Sequence, residues 1–234
     1  MNSSVGSPGE RIIVALDVPT RKEAFHLVAL LAPAISIFKV GLQLYTAEGP
    51  DLVRAILDTG AKVFLDLKLH DIPNTVARAV ESADRLGVQM LTIHLSGGAG
   101  MIEAAMAARK ESLLILGVTV LTSIDREALR VTGIESEVGD HVRRLAQLGA
   151  RAGVDGLVAS PHEIEILRKN FGDQIKLVVP GIRPSGSDAA DQKRTMTPRA
   201  ALEAGADYLV IGRPITADPD PAGAVARILD EINR

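Results

Sequence analysis

The stretch from Phe64 to Thr75 (FLDLKLHDIPNT) carries more potential chemistry than any other part of this chain. An apolar run ends there on Asp66 and Lys68, and Asp71 follows three residues later. Side chains alternate along a strand, so Asp66 and Lys68 point to one side, the side that Phe64 has already used. Two charges at a strand end cost desolvation unless they are paired or used. A lone Asp-x-Lys reads as a solvated strand end with a simple ion pair. Lys39, which closes an earlier apolar run, extends it to an alternating Lys-Asp-Lys-Asp array. Such an array suits a fixed cation held by carboxylates where negative charge develops.

A second group of residues suits an anion. IGRPIT at 211–216 places Gly212 and Arg213 just past an apolar run, and VPGIRP at 179–184 does the same for Arg183. Glycine lets a backbone amide come close to a ligand, and arginine offers a forked pair of bonds to oxygen. The segment 184–197 (PSGSDAADQKRTMT) is polar and long for a loop. Between two such arginines it is expected to close over a ligand as a lid. The histidines are bland by comparison. None pairs at i,i+4, so a helical zinc site has no support. His94 ends a strand and reads as packing or as a neighbour of the site. SGGAG at 96–100 lacks the spacing and the lysine of a phosphate loop, and reads as a tight turn.

These residues need a frame. Short β-rich runs recur at 11–16, 35–40, 62–67, 90–95, 113–118, 155–159, 176–180 and 207–211. Helical periodicity fills 21–32, 47–59, 73–86, 98–110, 138–152, 161–170, 198–204 and 221–232. Gly60, Gly87, Gly153 and Gly205 sit between a helical run and the next strand, where a left-handed cap is expected. Eight βα units in one chain of 234 residues predict an α/β fold, a single-domain (β/α)8 (TIM) barrel over residues 10–234, with 1–9 as a flexible tail. A doubly wound open sheet seldom needs eight strands in so small a domain. The barrel gathers the ends of its strands at one mouth. That mouth would hold Asp17, Lys39, Asp66, Lys68, Asp71, His94, Thr122, Ser123, Arg183, Gly212 and Arg213.

Composition narrows the partners. The core must be built from aliphatic residues, since the chain has four Phe, two Tyr and no Trp. With no cysteine, disulfides, thiolate nucleophiles and cysteine-based metal sites are excluded, in keeping with a cytoplasmic protein. A net charge of −3 argues against a nucleic-acid polymer or an acidic membrane surface. No signal-peptide h-region is visible, nor any apolar run of about 20 residues that would span a membrane.

The Asp66-x-Lys68-x-x-Asp71 pattern, continued as Ile-Pro-Asn-Thr, resembles that of the orotidine 5'-phosphate decarboxylase family, in its bacterial form. ALDVPT at 15–20, FKVGLQL at 38–44, VTVLTS at 118–123, VPGIRP and IGRPIT extend the resemblance over nearly the whole chain. The resemblance implies decarboxylation of orotidine 5'-monophosphate to uridine 5'-monophosphate, without cofactor or metal. It implies Lys68 as the acid that protonates C6, with Asp66 against the substrate carboxylate. Lys39 would hold the array and reach a ribose hydroxyl, and Asp17 would also bind ribose. Thr122, Ser123 and Pro180 would meet the base, and Gln192, Arg213, Gly212 and Arg183 the phosphate. Asp71, Ile72 and Thr75 would enter the other subunit's site in a homodimer. Metal-dependent sugar-phosphate enzymes share the Asp-x-Lys-x-x-Asp pattern, but place an acidic residue where this chain has Lys39. A pentose-phosphate epimerase or an amino-acid biosynthetic isomerase would leave the array unexplained, and a non-catalytic barrel that only binds nucleotides would show tight nucleotide binding without turnover.

Overall fold

A computed structural model describes residues 7–184 and 195–234. Eight parallel strands pair in sequence order, and β1 closes on β8. In chain order the elements are β1 (Ile12–Ala15), α1 (Arg21–Leu31), β2 (Ile37–Gly41), α2 (Leu42–Leu57), β3 (Lys62–Leu69) and α3 (Pro73–Leu86). There follow β4 (Met90–His94), α4 (Ala99–Ala108), β5 (Leu114–Val118), α5 (Arg126–Val131), α6 (Val138–Arg151), β6 (Gly156–Val158) and α7 (Ile164–Phe171). The chain ends with β7 (Lys176–Val179), α8 (Pro198–Glu203), β8 (Tyr208–Ile211), α9 (Arg213–Thr216) and α10 (Pro221–Asn233). The architecture is the (β/α)8 barrel. Of the expected tail at 1–9, residues 1–6 lie outside the described residues, and Pro8–Arg11 form a 3-10 turn.

Alternation along each strand divides the core in two. Ile13, Ala15, Ile37, Phe64, Met90, Leu116, Val178 and Val210 fill the barrel interior. The opposite faces pack under the helices in one continuous aliphatic layer. Gly60, Gly87, Gly153 and Gly205 all take positive φ, as a left-handed link from helix to strand requires. Two departures from periodicity have physical causes. The expected helix at 47–59 starts earlier, at Leu42, because the chain turns helical straight off β2 and then kinks at Gly49 (φ 67°) and Pro50. The short α5 and α9 hold too few residues to show a period.

β3 is irregular where it matters. Leu65 pairs with Leu91, but the next pair is Leu69 with Ile93, so Asp66, Leu67 and Lys68 all stand opposite Thr92. This bulge carries two extra residues on β3, from the arithmetic 91 − 65 = 26 against 93 − 69 = 24. At the opposite, N-terminal face, ion pairs tie strands together. Arg168 pairs with Asp207 and donates to the carbonyls of Gly205, Gly172 and Ile175 at 2.7–2.8 Å. Asp207 in turn accepts from the Leu177 amide at 2.7 Å. Asp155 repeats the device, accepting from the Ile115 amide at 2.8 Å and pairing with Arg109 at 3.0 Å. Among the described residues no helix is long and apolar enough to cross a membrane.

Candidate active site

The mouth of the barrel holds a cavity of about 150 Å³. Lys39, Asp66 and Lys68 line one side; Phe64, Val118, Val120, Leu121, Val158, Ala159, Pro180 and Val210 line most of the rest, with Thr122. Charge thus meets an apolar wall, where low polarizability strengthens any electrostatic contact. The side chains of Lys39 and Asp66 are only 10% and 12% exposed. The Lys39 ammonium donates to Asp17 Oδ1 at 2.9 Å and lies 3.8 Å from Asp66 Oδ2. Gly41 permits this. A Cβ there would come within 2.9 Å of Lys39 Nζ and 3.3 Å of Asp17 Oδ1.

Lys68 is held harder still. Its Nζ donates to both oxygens of Asp66 at 2.8 Å. Its backbone adopts φ 49°, the only positive φ outside glycine among the described residues. A left-handed lysine is strained, and such strain persists only where the surroundings dictate it. The surroundings here are the β3 bulge and Thr92. That residue is wholly buried, and its Oγ1 accepts from the Lys68 amide at 2.9 Å and donates to Asp66 Oδ1 at 2.9 Å. Asp66 and Lys68 therefore meet through the bulge, not through the simple alternation expected from the sequence. Just past the bulge, His70 lies beside His94, with ring centroids 5.5 Å apart. Burial lowers the pKa of His94, and the neighbouring His70 and Lys68 lower it further against the opposing pull of Asp66.

The residues expected to bind an anion sit on the same rim. Gly212 caps α9, and a Cβ on it would lie 3.5 Å from Ala15 Cβ and 3.7 Å from Asp17 Oδ2. Arg183 donates through its amide to the Met196 carbonyl at 3.0 Å and through Nη1 to the Ile182 carbonyl at 2.9 Å. Burial, and then the positive charge of Arg213, pull the Arg183 pKa down. Two guanidiniums in one another's field favour an anion between them. Gln192 and most of the expected lid, 185–194, lie outside the described residues.

The structure thus brings Asp17, Lys39, Asp66, Lys68, Thr122 and Pro180 to one mouth. Asp17 keeps 57% of its side chain exposed. Ser123 is exposed and not part of the cavity lining. Asp71 is exposed, and its Oδ1 accepts from the Ile72 amide at 2.7 Å. Residues 70–75 are all exposed, with Ile72 at 65%. Thr92 and the apolar wall escaped the sequence reading. A polar residue between Met90 and His94 on the inward alternation of β4 was the available signal for Thr92.

The sequence matches the model of the family described as "Orotidine 5'-phosphate decarboxylase / HUMPS family" over residues 10–228. It is 53% identical over 232 residues to the orotidine 5'-phosphate decarboxylase of Moorella thermoacetica, covering 95% of this chain and 92% of that one. To the enzyme of the same name from Shewanella sediminis it is 49% identical over 221 residues, covering 93% and 94%. Among solved structures, the orotidine 5'-phosphate decarboxylase of Lactobacillus acidophilus superposes with a TM-score of 0.84 at 34% identity, covering 96% of this chain and all of that one.

Proposed function

The chain belongs to the orotidine 5'-phosphate decarboxylase / HUMPS family, and on that premise we propose that Lys68 is the proton donor at the centre of its charge array. The reaction is decarboxylation of orotidine 5'-monophosphate to uridine 5'-monophosphate and carbon dioxide, the last step of de novo UMP synthesis. The C6–carboxylate bond breaks and its electron pair stays on C6. That pair lies in the ring plane, out of conjugation with the ring carbonyls. The help it needs is a cation fixed beside C6, which then passes a proton to it. One observation carries the assignment to Lys68: a strained, left-handed backbone aims an ammonium, clamped by Asp66, into a largely apolar cavity. A preorganised charge of this kind acts without reorganising when the transition state forms.

In this reading Asp66 faces the departing carboxylate, and Lys39 and Asp17 reach the ribose hydroxyls. Thr122, Ser123 and Pro180 contact the base. The Gly212 amide, Arg213, Arg183 and Gln192 take the phosphate. The buried Lys39 ammonium supports a route without metal, since it fills the space between Asp17 and Asp66 where a divalent cation would have to sit. The functional unit is a cytoplasmic homodimer in which Asp71, Ile72 and Thr75 complete the partner's site. The exposed run at 70–75, beside the mouth yet outside its array, supports that arrangement.

The test is an ultraviolet assay of EDTA-treated protein with orotidine 5'-monophosphate, following loss of the 6-carboxylate chromophore. Conversion without metal is expected. Turnover that appears only with added magnesium, or on keto-sugar phosphates instead, would contradict the metal-free reading.

A further inference from the structure

We propose that Thr92 is a positioning residue for the decarboxylation, its hydroxyl locking Asp66 and the Lys68 backbone into one arrangement. The proposal rests on the reading of Lys68 as proton donor. The β3 bulge creates the need for it. In the register that runs up to Leu65, the residue opposite Thr92 is Asp66; in the register that resumes at Leu69, it is Lys68. Thr92 is the point where the two registers overlap, and its Oγ1 bonds to both residues at 2.9 Å.

The direction of those bonds is forced. A backbone N–H can only donate, so Oγ1 accepts from Lys68. Its single proton then goes to Asp66 Oδ1. Asp66 accepts that hydrogen bond and the two Lys68 contacts on the same carboxylate. Thr92 is fully buried, so water cannot take over either bond. Without the hydroxyl, the Lys68 amide loses its partner inside the barrel, and the left-handed turn loses what holds it.

Thr92→Val keeps the shape and removes the hydroxyl, whereas Thr92→Ser keeps the hydroxyl. Both are measured for kcat, KM and UMP affinity, with Lys68→Ala in parallel. In Thr92→Val, kcat is expected to fall about 10- to 100-fold, with KM and UMP affinity within about threefold of wild type. Thr92→Ser should stay within about threefold on all three. Wild-type kcat in Thr92→Val, or an equal loss in both variants, would overturn the proposal. If the valine variant does not fold, Thr92→Cys takes its place, because a thiol is a poor donor and acceptor and should reproduce the loss. Wild-type kcat in Lys68→Ala would instead overturn the reading of Lys68 itself.

Discussion

The two ends of this barrel use the same raw material to opposite effect. At the N-terminal face, Arg168 and Asp207 spend their hydrogen bonds on each other and on backbone groups of neighbouring segments. At the mouth, Lys39 and Lys68 also pair with aspartates, but the described bonds of their ammonium groups go only to carboxylates, on the wall of an open cavity. An ammonium has three protons to give, and those contacts do not exhaust them. Closed pairs tie the chain together. Open ones keep capacity for a molecule that is not protein. Ion pairs alone therefore do not mark an active site; what matters is where their remaining valence points.

Removing a charge from each end should separate the two roles. The largest effect is expected from Lys68→Ala, a loss of kcat of at least about 1000-fold in the ultraviolet assay, with the melting temperature nearly unchanged. Mixed with an inactive Asp71→Ala chain under conditions of subunit exchange, it should regain part of the activity, since one heterodimer site would be intact. No recovery would count against shared sites. Next comes Arg168→Ala, which leaves Asp207 without its partner. It should cost about 2–4 kcal/mol in denaturant unfolding and leave kcat as it was. A large drop in kcat in the folded variant would erase the distinction between the ends.

Arg213→Ala should raise KM about 10- to 100-fold with a smaller change in kcat, because it loosens the phosphate rather than the reacting carbon. The smallest effect concerns His94. Its pKa in the folded chain is lowered from 6.5, so on acidification the unfolded chain takes up a proton first. Stability should therefore decline as pH falls below about 6.5, and His94→Gln should flatten that slope in melts measured across pH. An unchanged slope would mean that another group is responsible.

The eight-unit frame was legible because each unit repeats one pattern of apolar run, helical period and glycine cap. Asp17, Lys39, Asp66 and Lys68 were legible because charges at strand ends are conspicuous. Less visible was how Asp66 and Lys68 meet. Strict alternation predicts a shared face without a bulge, and only the pairing with β4 reveals the change of register. Thr92 was hidden for a related reason. A threonine inside a strand is ordinary, and its value depends on a partner 24 to 26 residues away. The apolar wall was equally silent, because Val118, Val120 and Val158 look like any other core valine.

The bulge also bears on descent. A β3 shortened by two residues would pair with β4 in one unbroken register, without the bulge that now accompanies the left-handed backbone of Lys68. Comparing relatives by the length of β3 against β4, before comparing their side chains, should sort barrels able to hold such a lysine from those that are not.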